Sequence, residues 1–273
     1  MRCKYREVRT VSGEYMDVDI FPIMQQRYKQ AGRSKRFKPT SGTMERYNQR
    51  RREKRLERLV LANFADTGVF FNPTYAPEHY PDTEEQAKRN ISNFVRRLKQ
   101  FRRKHGLPEL KYIIKTEKGK RSGRLHHHMI INCADMAIAD LEQIWGLGFS
   151  YFSRVQFDSE GCPGLAKYFC KNTKGKEEEN DHGADVGNAW SRSRNLTEPK
   201  VSKNDSKVSK RMAVELCKLG NDGREAFEKL YPGFSFSCAH TLYNELNGGY
   251  YIAARLVKKR RDKNGRAGKR IPA

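Results

Sequence analysis

The stretch "LKYIIKTEKGKRSGRLHHHMIIN", residues 110–132, sets three consecutive histidines after one alternating run and at the head of another. The first run, "LKYIIKTEKG", is rich in β-branched residues and alternates in polarity. The second, "RLHHHMIIN", passes straight from histidine into apolar residues. A short turn containing Gly119 and Gly123 separates them, so the simplest structure is an antiparallel hairpin. Side chains on a strand alternate faces, which puts His126 and His128 on one side and His127 on the other. His127 then lines up with Leu125, Met129 and Ile131 in a mostly apolar inner row. Glu117, near the end of the first strand, comes close enough across the hairpin to add a carboxylate. Two imidazoles and a carboxylate with open positions suit a catalytic Mn²⁺ or Mg²⁺ and not a closed structural zinc site. The histidines alone are equally compatible with surface side chains beside a strand.

Outward from this hairpin the pattern stays regular. "GVFFNPTYAP" (68–77) is a short β-rich run ended by proline, and its Phe71 and Tyr75 are expected to be buried in a sheet more readily than to stack on bases. "TEEQAKRNISNFVRRLKQFRRKHG" puts Ala87, Ile91, Phe94, Leu98 and Phe101 on one helical face and stops at Gly106. After the hairpin, "MAIADLEQIWGLG" reads as a helix closed by glycine and "FSYFSRVQF" as a strand. "GLAKYFCKNT" reads as a helix entered through Pro163 and Gly164. Strand, helix, strand, strand, helix, strand, helix predicts an α+β domain, an antiparallel sheet with helices on one face.

The flanks are polar and basic. "TMERYNQRRREKRLERLVLANF" spaces Leu56, Leu59, Val60 and Asn63 as a helix does, and its Arg50, Arg51, Arg52, Lys54 and Arg55 are candidates for phosphate contact, as is Arg124 in the hairpin. A charge run on a helix is also the ordinary dress of a solvated face. The expected organisation is a basic N-terminal extension with a helix (1–58), a catalytic core (59–175) and a polar flexible loop or arm (176–211). A part packing on the core (212–257) and a basic disordered tail (258–273) would follow.

Fifty-five Lys and Arg against 32 Asp and Glu leave a formal net charge of +23, spread along the chain. That excess points to nucleic acid as the partner. No run reaches the length of a membrane span, and "MRCKYREVRT" lacks the apolar core of a signal peptide, so no membrane partner and a cytoplasmic location are expected. The six cysteines are scattered without a CxxC pair and are expected to be reduced thiols.

In "AKYFCK", Tyr168 and Lys171 lie three apart on the expected helix and so on one face. Together with the two-histidine strand upstream and the basic composition, this chain resembles the HUH endonucleases, specifically the single-tyrosine replication-initiator (Rep) proteins of the bacterial and phage type. "GRLHHHMII" matches the family's histidine motif, "TEKG" its acidic ligand, "YFCK" its nucleophile motif and "FFNPTY" its first motif. "WGLG" and "SRSRNL" add to the likeness, which covers roughly 36–256. The family's residue between the two histidines is normally bulky and apolar, whereas this chain has His127.

The resemblance implies a ferredoxin- or RRM-like HUH core with helical and basic extensions, with a divalent metal ion, Mn²⁺ or Mg²⁺, on Glu117, His126 and His128. It implies that Tyr168 attacks a phosphodiester, leaving a 5′-phosphotyrosine link and a free 3′-hydroxyl, while Lys171 positions phosphate. The implied partner is single-stranded DNA at a replication origin, cut to begin rolling-circle replication in the cytoplasm of a bacterial host. No G-x-x-x-x-G-K-[ST] run occurs, so unwinding is expected from a separate host or viral helicase, and extension from a polymerase. A plasmid relaxase, a single-strand transposase with the same chemistry, and a basic nucleic-acid-binding protein without catalysis are the competing readings.

Overall fold

The computed structural model describes residues 4–23, 42–119, 123–170 and 190–259. In chain order they form β1 (Lys4–Ser12), β2 (Tyr15–Ile23), α1 (Gly42–Asn63), β3 (Val69–Pro73), α2 (Glu84–Lys104), β4 (Tyr112–Lys118), β5 (Leu125–Ile131) and α3 (Ile138–Trp145). Then come β6 (Ser150–Arg154), α4 (Pro163–Cys170), β7 (Ser191–Arg192), β8 (Lys200–Asn204), α5 (Lys210–Leu219), α6 (Arg224–Leu230), β9 (Phe234–Asn244) and β10 (Gly249–Lys258). The fold is α+β, with two antiparallel five-stranded sheets belonging to two compact units.

The unit comprising Arg46–Gln156 and Cys162–Thr197 contains the sheet β6-β3-β5-β4-β7. From β3 to α4 the order is the one the sequence predicts. The expected hairpin is β4–β5, in which Lys115 lies opposite His128, Thr116 opposite His127 and Glu117 opposite His126. One face of this sheet carries the core: Val69, Phe71, Ile114, Met129 and Ile131 pack with Ile91, Phe94 and Leu98 of α2 and with Leu141 and Trp145 of α3. α2 is amphipathic, its Thr83 cap accepts from the Gln86 amide, and acidic and basic residues flank its two ends as the helix dipole favours. Near its C-terminus the buried Arg102 donates to Pro108 and pairs with both oxygens of Asp135, which satisfies a charge that would otherwise be costly to bury. In addition to the helices expected on that face, α4 lies over the opposite one, where Phe169 meets the edge of Phe70.

The loop after α3 ties this layer to β3. Gly146 closes the helix at φ 62°, Trp145 Nε1 donates to the Thr74 carbonyl at 2.8 Å, and the Ala76 amide donates to Leu147 at 2.9 Å. Gly148, at φ 152°, runs so close to this strand end that an added Cβ would come 2.3 Å from the Ala76 nitrogen.

The second unit, Met1–Glu45 with Phe157–Gly161 and Glu198–Ala273, holds the sheet β8-β1-β2-β10-β9. α5 and α6 cover one face through Val18, Ile20, Leu216, Phe227, Phe236 and Leu256. This corrects two sequence expectations. The N-terminal segment expected as a basic extension begins with the β1–β2 hairpin, turning at Gly13 with φ 61°. Its alternation is legible in "VRTVSGEYMDVDIF" once the charges are read as the polar face of a strand. Residues 212–257, expected to pack on the catalytic core, complete the sheet that this hairpin starts. Part of the expected loop is ordered as well: Lys200–Asn204 pairs with β1 as a largely exposed edge strand, whose lysines and serines look like loop because an edge favours polar residues. Residues 176–189 of that loop and 260–273 of the basic tail lie outside the described residues.

Substitution Gly148→Ala is expected to cost about 1–3 kcal/mol through forced displacement of the 74–76 backbone. Thermal denaturation should show the loss as a melting point lowered by several degrees.

Candidate active site

The face of the β4–β5 hairpin opposite the core is where the polar chemistry gathers. Strand alternation and the hairpin register place Lys115, Glu117, His126 and His128 on it together. Glu117 Oε1 lies 3.2 Å from His126 Nε2 and 2.9 Å from His128 Nε2, while its Oε2 pairs with Lys115 Nζ at 2.9 Å. Glu117, Lys115 and His128 are buried and His126 is partly exposed. One ligand atom from each of Glu117, His126 and His128 falls within 4.8 Å of the others. Among the described residues these three form a carboxylate and two-imidazole set able to hold a divalent cation.

Orientation of the set is built in by neighbours. His128 Nδ1 contacts Asn72 Oδ1 at 2.9 Å, and its ring stacks with Phe70 at a centroid distance of 5.9 Å. His126 Nδ1 lies 3.1 Å from the Arg124 carbonyl. An imidazole held through its other nitrogen in this way is the usual support for a metal-binding histidine.

Burial alone would raise the Glu117 carboxyl, yet hydrogen bonds from His126, His128 and Lys115, with the charge of Lys115, outweigh it and hold the group far below the usual carboxylate range. Burial lowers His128. At His126 burial also acts downward, but the contacts with Glu117 and the Arg124 carbonyl win and raise it.

His127 belongs elsewhere. It is fully buried on the core face, with Nε2 2.7 Å from Tyr75 Oη and Nδ1 2.8 Å from Thr116 Oγ1. Burial pushes its pKa down to about 3, so it stays neutral and packs against Trp145. The sequence departure at this position is therefore a polar core residue with both nitrogens satisfied. Tyr75 and Phe71 are both buried in this core and offer no surface to a base.

The α4 helix brings Tyr168 over the cluster, its Oη 2.6 Å from His128 Nε2. Burial, followed by the negative charge of Glu117, raises the phenol above its ordinary pKa. Lys115 Nζ lies 5.8 Å from the centre of the Tyr168 ring. Lys171 falls outside the described residues. Arg50, Arg51, Arg52 and Arg55 are exposed along α1 and Lys54 is partly exposed. Arg124 is exposed, donating to the Tyr75 carbonyl with its guanidinium over the Tyr80 ring.

Residues 69–173 match the family model of the replication-associated protein ORF2. That stretch contains every residue of the cluster just described, including Tyr168. No curated protein matches the chain. Among solved structures, the N-terminal nuclease domain of non-structural protein 1 from minute virus of mice aligns at 14% identity over 68% of this chain and 73% of that one, with a TM-score of 0.18. That protein is described as having Zn²⁺ coordination in its active-site pocket and recognising DNA at the origin of replication. At so low a score the likeness decides nothing about this chain.

Lys115 is the site residue that a motif reading passes over. Its signal was present: it stands two residues before Glu117 within "YIIKTE", hence on the same strand face, and a lysine there needs an anion. Asn72 and Phe70 follow the same logic on β3, since their alternation faces them toward His128.

Replacing Lys115 with Met should cost about 3–5 kcal/mol because the Glu117 carboxylate is left buried without its cation. Urea denaturation of Lys115→Met, Glu117→Gln and the double variant checks this, the double variant being expected to regain most of the loss.

Proposed function

We propose that this protein nicks and rejoins single-stranded DNA at a replication origin, using Tyr168 as nucleophile beside a divalent cation held by Glu117, His126 and His128. The observation that carries the reading is the Tyr168 hydroxyl 2.6 Å from His128 Nε2, at the mouth of a carboxylate and two-imidazole cluster. The match of residues 69–173 to a replication-associated family supports initiation over the relaxase and transposase readings.

The donor set fits a hard or borderline cation, Mn²⁺ or Mg²⁺, since one carboxylate and two neutral imidazoles converge on one point from the face of a rigid hairpin. Such an ion supplies positive charge that polarises the scissile phosphate and favours the phenolate. Glu117 and the two histidines keep that place fixed, and Asn72, Phe70 and Lys115 fix them in turn. Tyr168 is carried by α4 to one side of it. Its oxygen forms the new bond to phosphorus as the bond from phosphorus to the 3′ oxygen breaks. The proton lost by the phenol is balanced by the one gained by the departing 3′ oxygen. The products are a 5′-phosphotyrosine and a 3′-hydroxyl that a polymerase can extend. One phosphodiester replaces another, so the step is nearly isoenergetic and the same residues can reseal the strand. Lys171, next on the family's motif after Tyr168, serves to hold a phosphate oxygen. The arginines of α1, Lys54 and Arg124 supply sequence-independent affinity for the backbone, and helicase activity comes from another protein.

Incubation of the protein and Mn²⁺ with single-stranded DNA of its own genetic element should yield a denaturation-resistant protein–DNA adduct that maps to Tyr168. Tyr168→Phe should abolish it, His128→Ala should reduce it by about 100-fold or more, and a chelator should prevent it. DNA bound but never captured covalently would leave only a binding protein.

A further inference from the structure

Beside the proposed nicking centre, the edge of the sheet presents two aromatic rings that its chemistry does not use. Phe149 is 76% exposed and Tyr151 61% exposed, whereas Phe71 and Trp145 of the same unit are fully buried. Asn72 pairs with Tyr151 across β3 and β6, and the same Asn72 reaches His128. His128, Asn72 and Tyr151 therefore form one row across the sheet, on one face. The Thr74 amide donates to the Phe149 carbonyl at 2.8 Å, which continues the β3–β6 pairing, so Phe149, two residues from Tyr151, stands on that face too. The two rings begin about 6.6 Å apart along the strand, and Tyr151 lies two strands, about 10 Å, from His128.

We propose, building on the nicking reading above, that Phe149 and Tyr151 are a stacking platform for unpaired bases beside the phosphate that Tyr168 attacks. Large rings held open to water on a strand mark a contact surface and not a core. The platform is rigid. The Phe149 carbonyl is tied to β3, the preceding Gly148 is in tight contact with the 74–76 backbone, and Trp145 anchors the loop to Thr74. Little conformational freedom is lost when a base settles on rings already fixed in place. A chain with net charge +23 draws a polyanion to this edge, and flat aromatic faces accept any unpaired base, which a duplex does not offer. Continuity with the His128 row favours nucleic acid over a partner protein adding a strand to β6.

The test measures affinity for a fluorescein-labelled oligothymidylate and for a duplex of equal length by anisotropy at low salt. The proteins compared are the wild type, Phe149→Ala, Tyr151→Ala and the double alanine variant. Stacking worth about 1–3 kcal/mol per base corresponds to a loss of roughly 5- to 150-fold per ring for the single strand, with duplex binding unchanged. The aromatic exchanges Phe149→Tyr and Tyr151→Phe should keep affinity and leucine should not. Since both side chains are exposed, melting points should stay at the wild-type value. The proposal is overturned if the wild type does not bind the oligothymidylate, if the double alanine variant binds it as wild type does, if strand and duplex affinity fall together, or if the alanines act only by breaking up a dimer seen in sedimentation. Adduct formation at Tyr168 is scored separately. Base stacking without an adduct would sink the nicking reading and leave the platform standing, and an adduct without stacking would do the reverse.

Discussion

Glu117 is the residue on which the site depends. Through one oxygen it meets both His126 and His128, and through the other it holds a buried lysine. A carboxylate so deep in a sheet is tolerable only because three partners compensate it, and those partners reach it only if β4 and β5 pair in one register. A slip of one residue would bring His127 to the cluster and drive His126 and His128 into the core. The apolar row of Leu125, Met129 and Ile131 forbids that slip, so the hydrophobic pattern of the hairpin also selects the ligands. Packing thus chooses the chemistry: the face that must be dry is apolar, and what remains is the site.

This is why the site was largely legible in the sequence. Alternation alone separates His127 from its neighbours, and the spacing of Glu117 from the histidines needs only a short turn. The order of elements from β3 to α4 follows from periodicity and from Pro and Gly punctuation. Lys115 was less visible because a lysine between apolar residues reads as the polar beat of an alternating strand, and burial on both faces of a central strand appears only when the sheet is assembled. Asn72 and Phe70 depend on which strand lies beside β5, information that no local window carries. Tyr168 was found through its company, since a tyrosine on a short amphipathic helix by itself says little.

The second unit was misread for a related reason. β1, β2, β9 and β10 come from the two ends of the chain, so no local stretch reveals that they share a sheet. Their charged residues, among them Glu7, Asp17 and Arg255, are buried in pairs. Counted singly, those charges suggest a solvated extension; paired, they belong to a folded unit. The expectation for α1 survived because its apolar residues Leu56, Leu59 and Val60 are buried while the arginines on its other side face water. The site and its flanks divide the work of DNA recognition, with exposed cations for backbone affinity and a dry, rigid cluster for the phosphate to be cut.

The most direct measurement is anomalous diffraction from crystals of the protein grown with Mn²⁺. The expected result is one strong peak bounded by Glu117 Oε1, His126 Nε2 and His128 Nε2, with His127 still bonded to Tyr75 and Thr116. No peak there, or an ion held by His127 instead, would contradict the claim that strand register chooses the ligands.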